Sequence, residues 1–211
     1  AHLYWSTKVG VPTKWRMDGN TSVCDWEGVG CDNKTGRVVE LSLQNGGMQG
    51  TVPPELGNMS ALVNLYLDAN ALSGTLSSNL AHAPLTFLTA AQNSLSGSIP
   101  AEIFGTALQV LKLTDNKLSG AIPPPRTKMA ASLLELRLAK NSLSGSIPEQ
   151  LSTLSALSYL DLGQNQLESL PGEICQLFVV GQLGADSCEL ADNPFKCPLP
   201  DCGRQCLATC S

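Results

Sequence analysis

The amino-acid sequence predicts a stacked-repeat solenoid of short strands and one or two helical turns, with cysteines gathered at its two ends. Three observations carry that reading. Leucine supplies 34 of the 211 residues, against only 4 Phe and 3 Trp. Leucine at that level, with 19 Gly and 13 Pro, is the composition of one small unit copied many times. A pattern written L-x-x-L-x-L-x-x-N-x-L-x-G-x-I-P recurs along the chain. The eight cysteines fall at 24 and 31 and then at 175, 188, 197, 202, 206 and 210, with none between.

The copies begin at Val38, Leu62, Leu85, Leu108, Leu133, Leu157 and Ala185. The clearest reads LQVLKLTDNKLSGAIP over 108–123, and LLELRLAKNSLSGSIP over 133–148 follows it closely. Within each copy, L-x-L alternates with period two, so it forms a short strand with one face buried. The strand enters a turn whose asparagine points inward: Asn70, Asn93, Asn116, Asn141, Asn165 and Asn193, with Gly46 at that place in the first copy. Backbone groups in the turn have no ladder partner. An amide side chain both donates and accepts, so stacked asparagines can satisfy the backbone and one another.

The continuation L-S-G-x-I-P adds a second inward apolar pair, such as Leu118 and Ile122. Gly50, Gly74, Gly97, Gly120 and Gly145 recur there, which marks a tight bend. Pro53, Pro100, Pro123, Pro148 and Pro171 end each segment, because proline cannot donate to a continuing ladder. Short apolar-periodic stretches follow, such as 55–59 and 149–154, and read as α or 3₁₀ turns too short to stand alone. No copy buries its own core; stacked copies share one.

These residues resemble the plant-type leucine-rich repeat, whose hallmark is the L-S/T-G-x-I-P continuation. The resemblance implies a leucine-rich-repeat solenoid of the α/β class, curved, with a parallel sheet on its concave side and a second short-strand face behind. Three places depart from the motif: Leu76-Ser77 replaces I-P, Pro123-Pro124-Pro125 follows the fourth copy, and the sixth reads LESLP without the glycine. Irregular back strands are expected there. Cys24-Asp25-Trp26-Glu27-Gly28-Val29-Gly30-Cys31 resembles the family's N-terminal cap and implies a Cys24–Cys31 bridge. Trp5, Trp15 and Trp26 all belong to that cap, as packing residues. Asn193-Pro194-Phe195-Lys196-Cys197-Pro198 resembles the cysteine-rich C-terminal caps, whose six cysteines allow 15 pairings. The domain reading is therefore an N-terminal cap over 1–37, repeats over 38–182, and an irregular last repeat with its cap over 183–211, as one continuous domain. Capping at both ends leads us to expect a complete solenoid, alone or as the ectodomain of a longer chain.

Disulfides are favoured over zinc, since no CxxC pair is present and the only histidines are His2 and His82. They place the chain in an oxidising compartment, extracellular or on the cell surface. The sequons at Asn20, Asn33 and Asn58 agree with a secreted glycoprotein. A net charge of −5 gives no basic footprint for nucleic acid, and no apolar run is long enough to span a membrane. No nucleophile elbow, phosphate loop or metal-protease helix motif is present, so neither catalysis nor a cofactor is expected.

What remains is surface. The third, fifth and seventh places of each copy face outward on the concave side. They bring Tyr66, Phe87, Lys112, Arg137, Tyr159 and Asp161 onto one strand face, where interfaces favour aromatics and arginine. The alternative is a solvated sheet with incidental aromatics. The functional expectation is a recognition module for a protein, a peptide or a glycan, anchored by Tyr66, Phe87 and Arg137, with Lys112 steering an acidic group. A structural subunit of a larger extracellular assembly is the second reading. Ice binding ranks last, because the exposed positions vary too much.

Overall fold

The computed structural model describes residues 21–179, 183–206 and 208–209. His2, Trp5, Trp15, Asn20 and Cys210 lie outside the described residues. In chain order the first strands are β1 (Val29–Cys31), β2 (Val38–Ser42), β3 (Gln49–Thr51), β4 (Asn64–Tyr66), β5 (Ala71–Gly74), β6 (Phe87–Thr89) and β7 (Ser94–Gly97). The remainder are β8 (Val110–Lys112), β9 (Lys117–Gly120), β10 (Glu135–Arg137), β11 (Ser142–Ser146), β12 (Tyr159–Asp161), β13 (Gln166–Ser169) and β14 (Cys188–Glu189).

They form two sheets. One runs β1-β2-β4-β6-β8-β10-β12-β14, and the other β13-β11-β9-β7-β5-β3. From β2 to β13 each coil contributes one strand to the first sheet and then one to the second, and β14 of the last coil joins only the first. Every pairing in both sheets is parallel except β1 with β2, which is antiparallel; the cap strand thereby covers the open edge of the first coil. The ladder is kept in step by the leucine at the fourth place of each copy. Leu41, Leu65, Leu88, Leu111, Leu136 and Leu160 stand opposite one another in succession, and all are buried. Cys188 takes that place in the last copy, opposite Leu160.

The core is one continuous cluster of these leucines with Ile99, Ile122, Ile147, Phe104 and Phe195. Burying a Leu side chain is worth about 1.5–3 kcal/mol, and no coil could collect enough of that alone. The asparagine turn closes each coil by hydrogen bonds to backbone. Asn116 Oδ1 accepts from Leu95 N–H at 2.9 Å, and Nδ2 donates to the carbonyls of Ala90, Leu113 and Thr114. Asn70, Asn93, Asn141, Asn165 and Asn193 repeat this arrangement on their own neighbours. The amides thus bond backbone of the preceding coil and of their own turn, and not one another as the sequence led us to expect. One place before each asparagine, or before Gly46 in the first copy, the chain enters the left-handed region, at Asn45, Ala69, Gln92, Asp115, Lys140, Gln164 and Asp192.

The motif departures leave the back sheet intact. At Leu76-Ser77 the leucine is buried, and Ser77 caps the 3₁₀ turn Ser78–His82 by accepting from Asn79 N–H at 3.2 Å. Pro53 and Pro148 hold the equivalent cap position ahead of Pro54–Asn58 and Glu149–Thr153. The triple proline leads into the α-helix α1 (Thr127–Ser132), which takes up the extra length of that copy. β13 forms without its glycine, with a register shift at Gly145/Ser146 where β11 meets it.

Both ends are cross-linked. Cys24 is bonded to Cys31, the pairing that the cap motif implies. At the other end Cys175 is bonded to Cys202 and Cys188 to Cys206, and Cys197 is disulfide-bonded as well. Because Cys188 occupies a ladder position, its bridge ties the C-terminal cap to the last core strand. Leu190 N–H, donating to Cys206 O at 2.8 Å, gives that strand a partner beyond the final coil. Trp26, the one cap tryptophan described, is half-buried.

Candidate functional site

Strand register sets the concave face as two rows of side chains. The third-place row runs Glu40, Asn64, Phe87, Val110, Glu135, Tyr159. The fifth-place row runs Ser42, Tyr66, Thr89, Lys112, Arg137, Asp161, Glu189. Adjacent strands are about 4.8 Å apart, so neighbours in a row touch. All six residues singled out from the sequence stand on this one face, and all six are half-buried by their neighbours.

Tyr66 and Phe87 meet with ring centroids 6.2 Å apart, tilted by 46°, within the range of a favourable aromatic pair. Phe87 stands directly opposite Val110, which extends the apolar strip by one strand. Burial pushes the Tyr66 phenol above its ordinary value, with the Glu40 charge adding to the effect. Further along, Arg137 stacks on the Tyr159 ring, its guanidinium carbon 4.0 Å from the centroid. The same guanidinium donates to Glu135 Oε2 from Nε at 3.0 Å and from a terminal nitrogen at 2.9 Å. Arg137 is therefore fixed from two sides, with its charge already matched.

Two expectations need correction. Thr89, at the fifth place, is buried because its hydroxyl donates to Asp68 Oδ2 across the strands. The seventh place does not face outward throughout: Ala91 and Ala139 are buried, since the chain is already curling inward toward the asparagine turn. Asp68, also at the seventh place, organises this region. Its Oδ1 accepts from Ala91 N–H at 2.8 Å and lies 4.0 Å from Lys112 Nζ. Neither Asp68 nor Thr89 was marked by the sequence, because a polar residue at an outward place carries no sign of its partner on the next coil.

At the C-terminal end, Asp161 accepts from Gly163 N–H at 3.2 Å and Glu189 from Ala191 N–H at 2.8 Å. These two carboxylates stand opposite each other in β12 and β14. Burial holds the Asp161 carboxyl above the usual carboxylate range. The Gly163 hydrogen bond opposes that shift, Glu189 reinforces it, and Arg137 and Lys140 pull it back. Among the described residues no group of His, Cys, Asp and Glu is arranged to hold a metal ion. No helix of the described residues is long and apolar enough to cross a membrane. Sequon residues Asn33 and Asn58 are exposed, away from the concave rows.

This architecture recurs in known proteins. The family model "Leucine Rich Repeat" matches residues 132–154 and 156–177. The LRR receptor-like serine/threonine-protein kinase FEI 2 of Arabidopsis thaliana is 46% identical over 63 residues, 30% of this chain and 10% of the kinase. Among solved structures, the ectodomain of the Arabidopsis receptor kinase HAESA in complex with an IDA peptide hormone superposes with a TM-score of 0.75 at 30% identity. It covers 89% of this chain and 31% of that one. A chain of the Arabidopsis BIR3–SERK2 complex is also 30% identical, with a TM-score of 0.61, over 91% of this chain and 89% of its own length. The chain belongs to the leucine-rich-repeat family. The segment of this leucine-rich-repeat protein that matches FEI 2 is a small part of that kinase, whereas the match to the BIR3–SERK2 chain runs nearly end to end in both. These matches are to plant receptor proteins, and they agree with a plant-type extracellular leucine-rich-repeat protein.

Proposed function

We propose that this protein is a non-catalytic extracellular recognition module that binds a protein or peptide on its concave face. The observation that supports the reading best is the cross-strand platform of Tyr66, Phe87, Arg137 and Tyr159. Their backbones are already paired in the ladder, and no packing need of the core requires large side chains on that side. Interfaces concentrate their energy in such aromatic and arginine residues. The Tyr66–Phe87 pair and the Arg137–Tyr159 stack hold them in place before any partner arrives, so less side-chain entropy is lost on binding. Two structural neighbours point the same way: the HAESA ectodomain was solved with a peptide hormone and BIR3 with SERK2.

The test is capture of the native partner from the extracellular fraction by immobilised protein, with affinity then measured by calorimetry. Changing Tyr66, Phe87 and Arg137 together to Ala should leave folding intact and weaken binding by at least about 2 kcal/mol, the hot-spot threshold. The control changes Lys117, Ser142 and Gln166 on the back sheet to Ala and should do nothing. Loss of the partner in the control, with retention in the concave variant, would refute the reading in favour of a structural subunit gripped by its outer face.

A further inference from the structure

We propose that the concave face takes a basic peptide segment, extended across the strands. An apolar side chain of the peptide lies over Phe87 and Val110, and its Lys or Arg lies against Asp161 and Glu189. The proposal rests on the recognition reading above and names the chemistry of its ligand.

Charge complementarity decides the occupant. Five carboxylates (Glu40, Asp68, Glu135, Asp161, Glu189) and two cations (Lys112, Arg137) stand on the face. Both cations are engaged, Arg137 by Glu135 and Lys112 by Asp68. An acidic ligand would have to displace those carboxylates before it gained anything. Glu40 accepts from Asn64 Nδ2 at 2.9 Å and has no carboxylate opposite it; Asp161 and Glu189 stand opposite each other, and among the described residues neither makes a salt bridge.

Like charges directly opposite in a sheet destabilise it, and here they meet where one carboxylate is partly desolvated. The hydrogen bonds from Gly163 and Ala191 orient these carboxylates but bring no full positive charge. Arg137 faces Glu135 and Tyr159 instead of closing an ion pair with Asp161, and Lys140 is exposed in the turn beyond. Arg137 and Lys140 act on Asp161 only from a distance; an ammonium or guanidinium group from a ligand supplies a direct counter-charge. The apolar strip of Tyr66, Phe87 and Val110 lies on the same face and defines the other end of the footprint. A second copy of this chain, with its net charge of −5, is a poor occupant of such a surface.

The spacing follows from the strand count. From β6 to β12 is three strand steps and to β14 four, or about 14 to 19 Å at ~4.8 Å per step. An extended peptide advances ~3.3 Å per residue, so the apolar and basic residues stand about four to six positions apart.

Fluorescence anisotropy with labelled synthetic decapeptides tests this. One carries Phe and Arg five positions apart, a second replaces the Arg with Glu, and a third keeps the first composition with Phe and Arg adjacent. The first should bind at least tenfold more tightly than the other two, and less tightly as salt rises. The double change Asp161→Asn, Glu189→Gln should cost it at least tenfold while leaving the Glu peptide unaffected or improved. Equal binding of the Arg and Glu peptides, indifference to the double change, or no binding of the first peptide up to about 1 mM would each overturn the proposal. The native partner separates this failure from that of the recognition reading. A partner lost by the Tyr66, Phe87, Arg137 variant but kept by the Asp161, Glu189 variant leaves recognition standing and removes the basic peptide.

Discussion

Replacing Asn116 with Leu changes one side chain and tests how the coils are held together. The substitution keeps the branched heavy-atom skeleton of the residue and removes its amide. Four backbone groups touch that amide: Leu95 N–H, which donates to Oδ1, and the carbonyls of Ala90, Leu113 and Thr114, which accept from Nδ2. Their losses are unequal. Ala90 O keeps Asn93 Nδ2, Leu113 O keeps Asn141 Nδ2, and Thr114 O keeps Gln92 N–H. Leu95 N–H loses the acceptor that Asn116 Oδ1 supplies, beside a buried leucine side chain. An orphaned buried donor costs about 1–3 kcal/mol, so the variant should lose about that much. Lys117, the next residue, is exposed in β9, and its change to Ala should cost less than about 0.5 kcal/mol. Urea titration followed by circular dichroism reads both, with the slope checked for constancy. Equal losses at the two positions would refute the account of the asparagine turn.

Two further substitutions probe the backbone and the concave face. Gly97 has φ +74°, and a Cβ there would lie 2.8 Å from Thr75 Cγ2, whereas Gly145 at φ +80° has open space. Both changes to Ala should cost the left-handed penalty of about 1–2 kcal/mol, with Gly97→Ala the worse in urea titration; equal values would show that Thr75 yields freely. Asp161→Asn should raise the urea midpoint at pH 7. Because burial raises the folded carboxyl above its unfolded value, ionisation disfavours the fold as pH climbs through that range. The gain should therefore vanish below the unfolded carboxylate pKa, and a gain unchanged at pH 3 would contradict the assigned shift.

Much of this fold is written in the chain at fixed intervals. The fourth-place leucines, the asparagines and the positive-φ glycines each do one job in most coils, so their spacing alone gives the ladder register and the contents of the two concave rows. Other features lack a residue signature. The left-handed place before each asparagine is filled by Asn, Ala, Gln, Asp and Lys alike; the closure of the coil imposes that conformation, not the side chain. Thr89 and Asp68 look like ordinary surface residues until strand pairing brings them together. The six C-terminal cysteines have no repeat to order them, and only the position of Cys188 on the core ladder explains why it is tied to the cap. Ser77 reads as a break in the motif, yet at the cap position that proline holds elsewhere it supplies a capping hydrogen bond.

The same regularity separates what the fold needs from what it leaves free. Inward places are filled mostly by Leu and Ile, with Asn in the turn, because each coil must match the one before it. The third and fifth places meet no such demand, and a fold optimised only for stability would fill them with small β-formers or alternating charges. Instead Asp161 and Glu189 oppose each other across two strands, and Asp161 is partly desolvated without an ion pair. Neither choice helps the sheet. Arg137 could have relieved Asp161 from the neighbouring strand, but Glu135 and Tyr159 hold it elsewhere. A surface that retains unfavourable charge next to prearranged aromatics has the profile of a site whose last contacts come from another molecule. The stability of Asp161→Asn and its effect on the basic peptide should therefore move in opposite directions. A variant that both stabilised the protein and preserved peptide binding would show that the acidic pair is incidental to recognition.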